Sequence, residues 1–314
     1  MEEDRLLERL IEGGLIAPPV PLVAMLSGGR DSVCLLDLAV RARGSDAVRA
    51  LHVNYGLRDA AHADEAACRS LCARLEVPLE VRRVQRPDGS GNLQAWARDV
   101  RYAAGAQLAA ARDAALAAGH TATDQAETIL YRLAAAPSRR ALLGMAARDG
   151  RLVRPLLGVT REETAAHCLA RGLGWVEDAG NDSGQFARGR VRNALVPALR
   201  AVHPGAERNV LRAAQLLREE AAVLDEIVDT ALAGRDHVTL HHLRILPPAL
   251  GRLVLRRLAE EATGGLCPRV SARFEDVLDL GDHAMLDLGD GARAVVARGV
   301  LRFERTPPLG SPVV

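Results

Sequence analysis

The chain has 314 residues, 48% of them hydrophobic and 26% charged, which is enough apolar material for a sizeable core and, at roughly 150 residues per domain, for two domains. Its net charge of +1 excludes a globally basic nucleic-acid-binding protein, so any contact with nucleic acid must come from a local basic patch. No stretch approaches the roughly 20 apolar residues of a membrane span and the acidic start is no signal peptide, so we predict a soluble cytoplasmic protein that needs no membrane.

Short apolar runs alternate with helical patterns over the first 175 residues. Strands joined by helices of this length need crossover connections, so we predict an α/β fold with a Rossmann-like, mostly parallel sheet and helices on both faces. Ligands of such sheets bind outside the carboxyl ends of the strands, where the loops 27–32, 52–58 and 120–127 lie. The predicted strands are 20–26, 47–55, 79–85 and a run within 114–121, and the predicted helices are 32–42, 63–76, 93–112 and 124–134.

The pattern changes after about residue 195. A long amphipathic helix is predicted over 206–233 and a second one over 248–263, and residues 284–305 alternate between apolar and polar. Asp290 and Gly291 stand where a hairpin turn is expected. We therefore predict three parts, namely an α/β domain over 1–205, a linker helix over 206–233 and a small α+β domain over 234–310.

The loop between the first strand and the first of these helices reads S-G-G-R-D-S. Its glycines allow positive φ and a close approach of the backbone to an anion, and its successive N–H groups lie at the start of a helix, where partial positive charge collects. An ordinary strand-to-helix turn with a serine cap is the alternative for such a loop taken alone. A Walker A loop is excluded, since it needs a lysine and the chain has none.

This loop resembles the S-G-G-x-D-S signature of the PP-loop ATP pyrophosphatases. The resemblance implies that ATP is cleaved between its α and β phosphates, that the loop holds the departing pyrophosphate, and that AMP passes to an oxygen of the substrate. Asp31 is anionic and is therefore expected to hold a Mg²⁺ ion that bridges the phosphates. The loop residues predicted to bind ATP are Ser27, Gly28, Gly29, Arg30, Asp31 and Ser32.

From about residue 20 to 305 the chain resembles one family of this class in particular, the tRNA(Ile)-lysidine synthetases, in a short form without a further C-terminal domain. Two positions depart from the family pattern, since Tyr55 stands where a second histidine is usual and Ala135-Ala136 stands where Arg-Gly is usual. The motifs that carry the resemblance are H-V-N-Y-G-L-R at 52–58, A-R-x-x-R-Y at 97–102, G-H-x-x-x-D-Q-x-E-T at 119–128, R-P-L-L at 154–157 and the hairpin segment at 286–303.

The resemblance implies an ATP-dependent ligase that joins free L-lysine to C-2 of the wobble cytidine in the tRNA(Ile) with a CAU anticodon. An adenylated cytidine would be the intermediate, with AMP and pyrophosphate released. The lysine ammonium must be bound and then deprotonated, which calls for carboxylates. Asp124 and Glu127 share one helix face and are the predicted catalytic and lysine-binding pair, although acidic residues that complement a helix dipole are the alternative.

The other candidate residues lie at strand ends or in arginine-rich segments. His52 and His120 each follow a strand and are predicted to bind the nucleotide. Arg98 and Arg101 share a helix face and are predicted to bind lysine or phosphate, with a solvated arginine face as the alternative. Asp178 is predicted to bind lysine. The predicted tRNA-binding residues are Asn54, Arg58, Arg188, Arg190 and Arg192.

Two other functions fit part of the pattern. A thiolase-type PP-loop enzyme that modifies tRNA is the first, but such enzymes usually display a C-x-x-C pair, which the five cysteines of this chain do not form. A non-catalytic nucleotide-binding or RNA-binding module is the second. For the small C-terminal domain, tRNA binding is implied by the resemblance alone, and the oligomeric state is open, with a homodimer as one candidate.

Overall fold

The structure is a computed structural model that describes residues 2–17, 19–56, 61–87, 92–135, 139–177 and 187–307, without the side chains of residues 2–4, 139, 140 and 188. The chain divides into two compact units, residues 1–214 and 215–314. Two of the predicted site residues, Arg58 and Asp178, lie outside the described residues, and Arg188 is described only by its backbone.

The described part of the first unit contains a six-stranded sheet in the order β3-β2-β1-β4-β6-β5. All neighbouring strands are parallel except β5 and β6, which form an antiparallel pair. The strand order reverses beside β1, so β1 and β4 flank the switch point at which doubly wound sheets bind ligands. The strands are β1 (Leu22–Met25), β2 (Val48–Asn54), β3 (Leu79–Arg83), β4 (Ala115–Ala117), β5 (Arg148–Asp149) and β6 (Leu152–Val153).

Helices cover both faces of this sheet, as the near-continuous apolar strands require. Within β1, Leu22 and Ala24 point into one hydrophobic cluster and Val23 and Met25 point into another, because successive side chains of a strand face opposite sides. The predicted fold class is confirmed. The helices of this unit are α1 (Glu2–Glu12), α2 (Arg30–Arg43), α3 (Ala61–Arg74), α4 (Leu93–Ala110), α5 (Ala122–Ala135), α6 (Arg139–Leu143), α7 (Arg161–Ala170), α8 (Ala187–Arg190) and α9 (Val196–Val202).

The second unit combines helices with an antiparallel sheet in the order β7-β10-β9-β8. Asp290 and Gly291 have φ values of 55° and 75°, the left-handed conformation that a tight hairpin turn requires. The division between the units falls within α10 (Ala206–Leu232), whose Val228 and Leu232 belong to the core of the second unit. The other elements are β7 (His237–Thr239), α11 (Leu240–Ile245), α12 (Pro248–Thr263), α13 (Phe274–Leu278), β8 (Met285–Gly289), β9 (Ala292–Ala297) and β10 (Val300–Arg305).

Among the helices in the described part of the chain, none combines the length and apolar character of a membrane-spanning segment.

Candidate active site

The loop after β1 is shaped by two serine hydroxyls and one glycine. Ser32 Oγ donates to the carbonyl of Gly29 at 2.7 Å and accepts from the backbone N–H of Ser27 at 3.2 Å. Gly28 has a φ of +87°, and a Cβ there would lie 3.3 Å from the sulfur of Cys68. The N–H groups of Ser27, Gly29 and Ser32 are used within the loop, by Ser32 Oγ, Ser27 Oγ and the Gly29 carbonyl. No side chain caps the start of α2 in the described structure, so the N–H groups of Arg30 and Asp31 are the ones open to an anion.

Asp31 lies at the start of α2 and is held by groups from two helices. Its Oδ1 accepts from Thr164 Oγ1 at 2.6 Å and from Arg30 Nε at 3.1 Å, and its Oδ2 lies 3.8 Å from Arg161 Nε. The described residues contain no group of three or more His, Cys, Asp or Glu side chains that could hold a metal. One carboxylate beside a phosphate cradle nevertheless suits Mg²⁺, which is usually bound through one or two carboxylates together with substrate phosphates.

The loop after β4 lies directly against the loop after β1. A Cβ on Gly119 would be 3.0 Å from the carbonyl oxygen of Asp31 and 3.2 Å from the backbone nitrogen of Ser32. The two loops therefore touch backbone to backbone, and a side chain at position 119 would force backbone atoms of Asp31 and Ser32 to shift. This contact brings His120 and α5 beside the loop after β1, at the carboxyl end of the sheet.

His120 is a neutral imidazole beside this contact. Burial lowers its pKa to about 4, against the opposing effect of Asp124 and with the help of nearby Arg154, Arg98 and Arg101. Its Nδ1 is buried and has no hydrogen-bond partner among the described groups. Such a ring nitrogen is suited to a hydrogen bond with a ligand.

Three arginines form the electropositive side of the site. Arg98 and Arg101 of α4 both lie over the ring of Tyr102, at 4.6 and 5.8 Å from its centroid. Arg154 is only 7% exposed and donates from Nη1 to the carbonyl of Ala146 at 2.6 Å. Within the described structure the Nε groups of Arg101 and Arg154 are buried without a hydrogen-bond acceptor, so an anionic ligand would satisfy them.

Asp124 and Glu127 of α5 form the acidic side. Asp124 Oδ2 accepts from the backbone N–H and the hydroxyl of Thr121, both at 2.9 Å, and so caps the helix. Its Oδ1 lies 3.2 Å from Arg161 Nη2 and 3.5 Å from Arg192 Nη2. Burial opposes ionisation of Asp124, but Arg161 and the bonds from Thr121 outweigh it and hold the pKa below its usual value. Asp124 therefore caps the helix, as the alternative interpretation expects, and its carboxylate is ionised. Its role toward lysine stays a prediction.

Glu127 makes the closest ion pair of the site. Both of its oxygens accept from Arg192, at 2.7 and 3.0 Å, and its side chain is only 4% exposed. The structure therefore places Arg192, which we predicted to bind tRNA, on the carboxylates that we predicted to bind lysine. Arg190 lies exposed on α8.

The residues at the end of β2 are engaged inside the protein. His52 is buried, and its Nδ1 lies 2.9 Å from the carbonyl oxygen of Leu26, just before the loop. Asn54 is also buried; its amide donates to Glu65 at 3.0 Å and its carbonyl accepts from the N–H of Gly56 at 2.9 Å. These bonds fix His52 and Asn54 at the loop ends of the strands. Nucleotide binding by His52 and tRNA binding by Asn54 stay predictions.

Arg161 and Thr164 line the candidate site but were not singled out from the sequence, and Arg154 was noted only as part of the R-P-L-L motif, without a role. The first two lie on α7, which was not among the predicted helices. Thr160 and Glu163 form a capping box, with bonds of 2.7 and 3.2 Å, and this T-x-x-E pattern is a signal that would have located the start of α7. No local pattern would have shown that this helix faces Asp31.

Five arginines of the second unit pair with acidic neighbours. Each contacts a carboxylate of the same unit, namely Arg252, Arg256, Arg257, Arg269 and Arg273. This part of the chain therefore presents no strong basic surface through these residues, and tRNA binding by it rests on the family resemblance.

The chain is similar in sequence and in fold to known proteins. Residues 7–199 match the PP-loop domain family. The tRNA(Ile)-lysidine synthase of Pseudomonas putida is 38% identical over 276 residues, which cover 82% of this chain and 64% of that protein. The synthase of Symbiobacterium thermophilum is 34% identical, and the match covers 98% of this chain and 70% of that protein.

The chain thus spans between about half and 70% of the length of the curated relatives that it matches. A solved structure, the U34-tRNA thiolase NcsA from Methanococcus maripaludis with its [4Fe-4S] cluster, is similar with a TM-score of 0.56 and 17% identity, covering 68% of this chain and 78% of that one. At this identity the likeness shows a shared fold.

Proposed function

This chain belongs to the tRNA(Ile)-lysidine synthase family of PP-loop proteins, and on that premise we propose that it joins L-lysine to C-2 of the wobble cytidine in the tRNA(Ile) with a CAU anticodon. The observation that carries the proposal is that an anion-binding side and an acidic side meet in one site at the β1/β4 switch point. A backbone cradle and the arginines Arg98, Arg101 and Arg154 suit the phosphates of ATP, and the Asp124–Glu127 pair suits the ammonium of lysine.

The first step is adenylation of the cytidine. The open N–H groups at the start of α2 hold the phosphates of ATP, and Asp31 would hold the Mg²⁺ that neutralises part of their charge. The cytidine O2 attacks the α-phosphorus, the bond to the bridging oxygen breaks, and pyrophosphate leaves. Neutral His120 offers a hydrogen bond without adding charge. This step is needed because an unmodified amide-like oxygen is a poor leaving group.

The second step replaces AMP by lysine. The ammonium group binds against Asp124 and Glu127, loses a proton and attacks C-2 of the cytidine, and AMP leaves with O2. Because its pKa is held below the usual value, the Asp124 carboxylate is suited to binding the ammonium and less suited to accepting its proton. Arg98, Arg101 and Arg154 are placed to receive an anionic group, either a phosphate or the lysine carboxylate.

The RNA contacts are proposed on chemical grounds. The segment that carries Arg188 and Arg190 suits the RNA backbone, which positions a substrate without reading its sequence. A tRNA substrate places the proposed activity in the cytoplasm, and a homodimer remains a prediction.

One assay tests the whole proposal. The protein is incubated with ATP, Mg²⁺, radiolabelled lysine and the tRNA(Ile) transcript with a CAU anticodon, and the same transcript with a UAU anticodon is the control. We expect label in the first RNA, with AMP and pyrophosphate formed in equal amounts. Thiolation with a sulfur donor, ATP cleaved to ADP, or no label in RNA would refute the proposal.

A further inference from the structure

Arg192 occupies the carboxylates to which the proposal assigns the substrate amine. Its guanidinium makes a two-point contact with Glu127 and lies 3.5 Å from Asp124 Oδ1. Both oxygens of Glu127 are therefore used, and an ammonium can approach this carboxylate only by displacing or sharing the arginine.

The charges around this pair are already balanced. Arg161 is shared between Asp124 and Asp31, and Asp31 also contacts Arg30, so the three carboxylates Asp31, Asp124 and Glu127 face the three guanidiniums of Arg30, Arg161 and Arg192. A carboxylate as buried as Glu127 needs a counter-cation in a low-dielectric site, and Arg192 supplies one. A lysine ammonium would add a further positive charge, so tight binding of lysine requires one guanidinium to leave.

Arg192 lies on a stretch of backbone that differs from its neighbours. Val191–Leu195 is a π-helical turn between α8 and α9, in which the N–H of Val196 donates to the carbonyl of Val191, five residues earlier. Pro197 follows and has no N–H to donate four residues back, as a regular α-helix would require. Such turns are uncommon, appear mostly as single-turn bulges within α-helices, and are frequent at functional sites.

We propose that Arg192 is an internal stand-in for the substrate cation, and that a phosphate anion draws it off Asp124 and Glu127 before lysine binds. Lysine would then enter after the nucleotide or the RNA, and the amine site would stay closed to free lysine and other amines until an acceptor is present. This inference rests on the proposed function, since it takes lysine as the incoming amine.

The test measures lysine binding without turnover. Radiolabelled lysine is equilibrated by dialysis with the wild-type chain, with Arg192→Gln and with Arg200→Gln. The last variant is a matched control, because Arg200 lies in the same helical stretch but pairs with Glu207 and Glu162. Without nucleotide or RNA, we expect Arg192→Gln to bind lysine about tenfold more tightly than the wild type, and Arg200→Gln to bind as the wild type does.

A second variant guards against a change in folding. Arg192→Gln combined with Glu127→Gln removes both partners of the ion pair and should lose the gain in lysine affinity. If Arg192→Gln binds lysine as weakly as the wild type or more weakly while keeping the wild-type circular dichroism spectrum, the arginine does not block the site and the inference is wrong.

The wild-type chain identifies the anion that releases Arg192. Lysine binding is repeated with a non-hydrolysable ATP analogue and Mg²⁺, and separately with the CAU-anticodon RNA. A tighter lysine affinity in either arm supports the inference and names the source of the phosphate, whereas no change in both arms overturns it. Absence of ligation product in the activity assay would refute the proposed function, whereas unchanged lysine binding would refute only the role of Arg192. The two failures are therefore distinguishable.

Discussion

At the scale of single residues, the site depends on side chains that hold other side chains. Asp31 is the only loop residue assigned to the metal, and its Oδ1 is fixed by the hydroxyl of Thr164 at 2.6 Å. A hydrogen bond to a charged group contributes about 1.5–3 kcal/mol. Thr164 therefore acts as a positioning residue that holds Oδ1 and leaves Oδ2, whose contact is Arg161 at 3.8 Å, without a bond to Thr164.

Replacing Thr164 by valine tests this positioning role. Valine keeps the shape of threonine but removes the donor, so we expect the Mg²⁺ concentration for half-maximal AMP formation to rise about tenfold, with a smaller effect on the KM for lysine. Binding of Mn²⁺ with ATP, followed by electron paramagnetic resonance, should weaken in parallel. Thr164→Ser keeps the hydroxyl and should behave like the wild type; equal metal dependence in all three proteins would contradict the role.

His120 makes a second prediction at this scale, through its pKa of about 4. The unfolded chain takes up a proton near pH 6.5 and the folded chain does not, so stability falls as the pH drops from about 6.5 to about 4, by on the order of 3 kcal/mol. His120→Gln should remove this part of the pH dependence in urea unfolding at pH 7.5 and 4.5. An NMR titration that gives His120 an ordinary pKa near 6.5 would disprove the assignment.

At the scale of elements, the close approach of two loops decides where the site forms. The loops after β1 and β4 touch through Gly119, and a methyl group there would meet backbone atoms of Asp31, which have little room to move. The contact lets α5 present Asp124 beside Asp31.

Gly119→Ala is expected to separate these loops. Overpacking against backbone costs about 1–3 kcal/mol, so the midpoint of thermal unfolding should fall by several degrees and the KM for ATP should rise. Gly158→Ala is the control, because a Cβ at that position meets nothing within 4 Å. A Gly119→Ala protein with unchanged stability and ATP use would show that the loops tolerate a wider spacing.

At the scale of the whole molecule, every described group assigned to the nucleotide comes from the first unit. Binding of a ligand to native groups slows their opening, so hydrogen exchange should report where the nucleotide lies. We expect ATP with Mg²⁺ to slow exchange of the amides at 27–33 and 119–124, and to leave those of β8, β9 and β10 unchanged. Protection confined to residues 285–305 would place the nucleotide elsewhere.

The sequence by itself determined the repeating pattern of the chain. Alternating apolar runs and helical patterns predicted β1 to β4 and α2 to α5 to within a few residues, because burial on both faces of a parallel sheet leaves a local signature. The Asp290-Gly291 turn and the S-G-G-R-D-S loop were equally local, since both depend on backbone conformations that glycine favours. Local patterns likewise located Asp124 and Glu127 on one helix face.

Only the tertiary structure decided the partners of these residues. Asp31 and Thr164 are separated by 133 residues, and Glu127 and Arg192 by 65. Which arginine reaches a buried carboxylate depends on the packing of α7 and of the π-helical turn, and in an arginine-rich chain many side chains of the same charge compete for that place. Charge and periodicity are properties of short segments, whereas an ion pair in a crevice depends on the distances between segments that the fold brings together.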